Sequence, residues 1–316
     1  MTAIGGYFEL ELRKGEHYHK GALRLNTARN CFEYILRARG YRKVYIPYYT
    51  CEVMLEPLQK CNVSYEFYHI DKCLEPAKFY NLLPDEAFLY TNYYGLKQRC
   101  VERLALQYGS QLIVDNAQAF YAKPIEGIDT FYSPRKFFGV PDGAYLHTTQ
   151  LLNQELEQDR SYQRMSHLLI RADIGAEAGY EAFRKNDDSL KNNPIRKMSN
   201  LTEKILCSID YDGIRQQRRA NYQMLDDALA THNLLHFLLE TDDVPMVYPF
   251  YSENMLLRQH LIANKIFVAT YWKNVTDWVK KNNIEDLLVE KLLPLPINTC
   301  WRGDINRIKE IIERHL

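Results

Sequence analysis

Short apolar runs alternate with helix-length segments from residue 27 to residue 147, and no other feature of the chain narrows its folding options as much. The spacing predicts a helix over 27–39, with Thr27 as N-cap and Gly40 as its stop. An apolar run at 44–46 ends at Pro47, and the segment 50–60 carries Val53, Met54 and Leu58 at helical spacing. Further strands are expected at 63–68, 87–90, 111–114, 128–132 and 144–147, with a helix over 97–108 stopped by Gly109. Strands separated by helices of this length build parallel β-α-β units.

Beyond residue 147 the rhythm changes. A mostly helical stretch is expected from 151, a polar loop over 186–200 around Pro194, and helices over 201–230 broken near Asp212-Gly213. After His236, the run MVYPF, a helix over 253–264, the run IFVA and a last helix over 304–315 indicate a small α+β unit. The expected architecture is α/β. A large αβα domain on a mostly parallel sheet, with trailing helices, spans 1–230, and a smaller C-terminal α+β domain spans 231–316. At 316 residues the chain is long enough for both.

Composition removes several function classes. Lys plus Arg and Asp plus Glu number 40 each, so no basic field points to nucleic acid. Hydrophobic residues at 46% argue against disorder. No apolar run approaches membrane-spanning length, and residues 1–21 lack the apolar core of a signal peptide, so a cytoplasmic protein is expected. The cysteines (Cys31, Cys51, Cys61, Cys73, Cys100, Cys207 and Cys300) are odd in number and irregularly spaced, with no C-x-x-C. They read as reduced thiols, with no disulfide framework and no metal site. His17 and His19 lack an evident third ligand and read as surface histidines. Arg215, Arg218 and Arg219 read as a solvated helix face. Tyr271 and Trp272 suit either core packing or a pocket wall. The 24 tyrosines hint at an aromatic-lined polar surface.

In parallel sheets ligands sit at the carboxyl ends of strands. Asp115 follows the run LIV there, Ser133 to Lys136 follow DTFY, and Asn92 follows FLYT. Singly, an aspartate at a strand end is ordinarily a cap, and a lone lysine is ordinarily a solvated charge. Jointly they supply what pyridoxal chemistry needs. A lysine attaches the cofactor covalently, and a carboxylate keeps the ring nitrogen protonated so that the ring withdraws electrons. A hydroxyl and a helix N-terminus hold the phosphate, and Thr27 opens such a helix.

The stretch VDNAQAFYAKPIEGIDTFYSPRKFFGVPDGAYL (114–146) resembles the strand-Asp-x-Ala-Gln segment, Ser-x-x-Lys loop and following Asp-Gly of the DegT/DnrJ/EryC1/StrS sugar aminotransferases. LNTARNCFEYIL (25–36) is similar to that family's phosphate segment, VYIPYYTCEVM (44–54) to its strand-Pro-x-Tyr-Thr turn, and TNYYG (91–95) to its strand-Asn-x-x-Gly element. The likeness continues more thinly through IRKMSNLTEKIL, RQQRRANY, ATYW and LLPLPI, and spans roughly 21–296. It implies a fold-type I pyridoxal 5'-phosphate enzyme, an aminotransferase working as a homodimer on an amino donor, glutamate by expectation, and a keto sugar carried on a nucleotide. Carried over by position, Lys136 binds the cofactor covalently and moves the proton. Asp115 pairs with the ring nitrogen, Gln118 reaches the ring hydroxyl, and Ala117 packs on a ring face. Ser133, Thr27 and the backbone at Ala28 and Arg29 hold the phosphate.

Three departures accompany the likeness. Cys51 stands where the family often has an aromatic residue stacked on the cofactor, leaving either Tyr49, Tyr93 or Tyr94 to replace it or a ring face that is less covered. Ala28 stands for a glycine of the phosphate segment. A loop that reaches the partner subunit's site in the family is shortened here to 194–199. Two rival readings follow: another pyridoxal-dependent reaction such as a lyase or dehydratase, and a non-catalytic binding protein on the same fold.

Overall fold

The computed structural model describes residues 4–299 and 302–316. Cys300 lies outside them, and the other six cysteines are free thiols. In chain order the large-sheet half comprises β1 Leu23–Leu25, α1 Ala28–Arg39, β2 Lys43–Pro47, α2 Leu55–Lys60, β3 Ser64–Tyr68, β4 Glu86–Thr91, α3 Gln98–Tyr108, β5 Leu112–Asn116, β6 Asp129–Tyr132 and β7 Ala144–His147. Helices α4 Ser166–Asp173, α5 Ala176–Ser189, α6 Asn200–Cys207 and α7 Tyr211–Leu229 follow. The remainder holds β8 Val247–Tyr251, α8 Leu257–Ala263, α9 Val275–Trp278, α10 Ile284–Lys291, β9 Leu292–Pro296 and α11 Arg302–Glu313.

The seven strands order as β3-β2-β4-β5-β6-β7-β1. β3 through β6 run parallel, β7 pairs antiparallel with β6, and β1 pairs antiparallel with β7. The parallel crossovers were legible in the sequence. The three-residue β1 is too short for its periodicity to register. Helix α1 begins and ends as its sequence predicts: Thr27 accepts from Asn30 N, and Gly40 takes the left-handed conformation at φ 69°.

Strand alternation divides the core. In β4, Ala87 and Leu89 face one side, joining Phe32, Ile35, Leu36, Ile113 and Phe131 beneath α1. Phe88 and Tyr90 face the other side with Tyr68, Tyr132 and Tyr145. The tyrosines expected at a polar surface are therefore largely core. Their hydroxyls are satisfied inside it: Tyr68 donates to Leu89 O at 2.8 Å, Tyr90 to Leu74 O at 2.8 Å and Tyr132 to Ala122 O at 3.0 Å. His17 and His19 also turn inward. His19 is buried against Tyr132, its Nε2 2.7 Å from Phe120 O, and burial pushes its pKa down to about 3. Among the described residues no group of three or more His, Cys, Asp or Glu side chains is placed to hold a metal.

Four further expectations are corrected. Residues 151–159 are not helical, because their backbone is spent on tertiary bonds: Leu152 N to Tyr34 Oη, and residues 157 and 159 to Lys197. The helix break after α6 falls at 208–210, with Asp212-Gly213 inside the first turn of α7. Asp210 caps that turn, accepting from Gly213 N at 3.1 Å. The run IFVA is not a strand; β8 pairs antiparallel with β9 instead. Arg218, expected on a solvated face, is buried. It lies 4.7 Å from the Phe137 ring and donates to Met246 O at 2.9 Å.

Candidate active site

The carboxyl ends of β4, β5 and β6 bring the predicted residues to one edge. The parallel register sets Thr91 beside Asp115 and Asn116 beside Tyr132, one residue before Ser133. Asp115 is buried, and its Oδ1 accepts from Ala117 N at 2.8 Å. Burial pushes its pKa up to about 6; the Ala117 N–H, the Lys136 charge and the Thr91 hydroxyl offset that rise only in part. A carboxyl so placed is poised to accept a cationic donor.

Gln118 is fixed by the turn that follows β4. Its Oε1 accepts from Tyr94 N at 3.0 Å, while its Nε2 is buried without a partner among the described residues. The amide orientation follows from that backbone donor, since a carbonyl oxygen must meet the N–H. Tyr94 presents its N–H from a left-handed conformation, φ 58°. Next to it, Gly95 has φ 73°, and a Cβ there would lie 2.9 Å from Val244 O. Glycine is required at that turn on both counts. A buried amide donor lacking an acceptor costs free energy, so a ligand oxygen would be welcome there.

Lys136 closes a single 3-10 turn, Pro134–Lys136. Pro134, Phe137 and Phe138 are buried around it, and Phe138 N donates to Pro134 O at 2.8 Å. Those anchors leave Lys136 as the exposed member, its Nζ 5.7 Å from the Tyr271 ring centroid. The Ser133 side chain caps nothing in this turn. At the N-terminus of α1, Thr27 is buried and the first backbone N–H groups, of Ala28 and Arg29, have no intrahelical partner. The Arg29 guanidinium is held by Glu56 at 2.8 Å. The charges of Lys136 and Arg29 both bear on Cys51, whose thiol burial pushes up. These residues thus converge on one region.

Tyr49, Tyr93 and Tyr94 are fully buried and committed to one another: Tyr49 Oη lies 3.1 Å from Tyr94 Oη, and Tyr93 donates to Tyr49 O at 2.8 Å. The shortened loop lies on its own chain. Asn30 Nδ2 and Lys60 Nζ donate to Asn193 O, and Asn26 Nδ2 donates to Pro194 O.

No protein-family model matches the sequence, and no curated protein matches it. Solved structures do. DesV of S. venezuelae, solved in complex with a ketimine intermediate, superposes over 95% of this chain and 85% of its own with TM-score 0.64 at 17% identity. A DegT DnrJ EryC1 StrS aminotransferase from Brucella abortus matches over 93% and 85%, TM-score 0.59, 15% identity. A sugar aminotransferase from Micromonospora echinospora matches over 93% and 87%, TM-score 0.62, 14% identity. The chain has the fold-type I transferase fold. At such identities the likeness is one of architecture, and chemistry must be argued from the side chains.

Sequence reasoning missed one contributor and left another open between core packing and a pocket wall. Thr91 reaches Asp115 through sheet register, which a single strand does not reveal. Tyr271 reaches Lys136 from a segment far along the chain; the run ATYW was its only signal.

Proposed function

We propose that this protein is a pyridoxal phosphate-dependent aminotransferase that moves an amino group from an amino acid, glutamate by expectation, to a keto sugar carried on a nucleotide. The observation that carries the reading is the pairing of two unmet needs at one sheet edge. Asp115 has a raised pKa and suits a protonated ring nitrogen, while Gln118 Nε2 has no acceptor among the described residues and suits a ring oxygen. When bound, the cofactor supplies the aldehyde carbon that carries the amino group and a protonated ring that withdraws electrons. Asp115 holds the ring proton. Lys136 Nζ would take the proton from the donor's α-carbon and serve as the base and then the acid of the proton shift. Thr27, Ser133 and the N–H groups of Ala28 and Arg29 would hold the phosphate, and Ala117 would pack on a ring face. Residues 1–230 serve as the cofactor domain and 231–316 as the small domain. The exposure of Lys136 on the single chain favours a homodimer whose partner closes the site, the commonest closed assembly. We place the enzyme in the cytoplasm, a reading that its free thiols support.

The test is a single turnover. Loaded protein mixed with glutamate should release 2-oxoglutarate stoichiometrically with bound cofactor and lose the absorbance of the lysine-bound form. Bound cofactor with no oxoacid from any amino donor would shift the assignment to a lyase or dehydratase.

A further inference from the structure

The position where the resemblance leads one to expect a stacking aromatic is Cys51, and the nearby tyrosines are already committed. Tyr49, Tyr93 and Tyr94 are fully buried, with their hydroxyls bound inside the protein. Tyr271 is different. It is half-buried, lies 6.1 Å from Tyr94 between ring centroids, and is the ring that Lys136 Nζ faces, at 5.7 Å. That distance is within reach of a cation–π contact.

The segment carrying Tyr271 is docked at the same turn that carries Cys51. Asn274 Nδ2 donates to Thr50 O at 3.0 Å, and Trp272 meets Tyr49 edge-on at 5.1 Å. Residues 271–274 are thus held against residues 49–50, immediately before Cys51. The Tyr271 hydroxyl bears electrostatically on both Tyr49 and Tyr94, which places the phenol among them rather than in bulk water.

We propose that Tyr271, from the C-terminal part of the chain, is the ring that covers the cofactor at this site, taking the place left by Cys51. The inference rests on the pyridoxal reading above. Its consequence is that the aromatic wall of the site belongs to the smaller C-terminal part, so cofactor retention and the docking of residues 271–274 are coupled.

The experiment compares pyridoxal phosphate affinity in wild type, Tyr271→Leu, Tyr271→Phe and the double variant Tyr271→Leu with Cys51→Phe. Leucine keeps the apolar volume, so the variant is expected to fold. A stacked ring contact contributes enough to cost about tenfold in affinity when lost. Tyr271→Leu should therefore bind about tenfold more weakly, Tyr271→Phe should match wild type, and Cys51→Phe should restore the loss. Wild-type affinity in Tyr271→Leu would overturn the proposal. A second readout needs no cofactor: acylation of Lys136, followed by peptide mass spectrometry, should be about two- to fivefold faster in Tyr271→Leu than in wild type or Tyr271→Phe. Equal rates in all three would overturn the placement of the ring over Lys136. Failure of wild type to bind pyridoxal phosphate at all would remove the pyridoxal reading, while the acylation rates would still decide whether Tyr271 covers the lysine.

Discussion

Asp115 gives the candidate site a pH signature. Burial raises its pKa from 3.8 to about 6 in the folded chain. Between those values the folded state holds more protons than the unfolded state, so stability falls as pH rises through the window. The penalty is absent below the unfolded value and complete above the folded one, on the order of 2–3 kcal/mol. In cofactor-free protein, Asp115→Asn should gain stability over wild type by about that amount at pH 8 and by little at pH 4, read by urea unfolding. A gain independent of pH would show that the carboxyl does not ionise against burial there. Asp115 and the run Ser133 to Lys136 could be placed at strand ends because apolar runs mark those ends, whereas Gln118 and the roles of all four were suggested only by the family resemblance. The partners of these residues were not legible. Thr91 depends on sheet register, and the N–H that orients Gln118 comes from Tyr94 in an unusual conformation.

At the scale of elements, the turn after β4 holds the site's amide in place. Tyr94 donates to Gln118, Met246 N donates to Tyr94 O at 2.8 Å, and Gly95 lets Val244 and Gln118 approach. Gly95→Ala combines a left-handed φ with a Cβ 2.9 Å from Val244 O and 3.3 Å from Gln118 O. It should destabilise the protein by about 2 kcal/mol or more, and thermal unfolding with and without cofactor measures it. A loss under about half a kilocalorie would mean that the turn relaxes freely. Helices with a polar cap and a glycine stop, such as α1, were placed correctly from sequence. The segment 151–159 was not, because its backbone is claimed by Lys197 and Tyr34, contacts between residues far apart in the chain. The same reason hid the inward turn of His19 and Arg218.

Over the whole molecule, the parallel core of the sheet follows from alternating strands and helices, and that much could be read from one sequence. The tyrosine-rich second face could not, because a count of tyrosines does not say which side of a strand they occupy. Nor could the approach of Tyr271 to Lys136, or of Asn274 to Thr50, which bring the C-terminal part of the chain to the strand ends. All of these features give the chain its function only if Lys136 takes the cofactor covalently. The direct measurement is borohydride reduction of the protein with pyridoxal phosphate, followed by peptide mass spectrometry, with Lys136→Ala alongside. The account predicts one reduced pyridoxyl group per chain, on the peptide holding Lys136, and none in the variant. Label on other lysines, or equal label in Lys136→Ala, would contradict it.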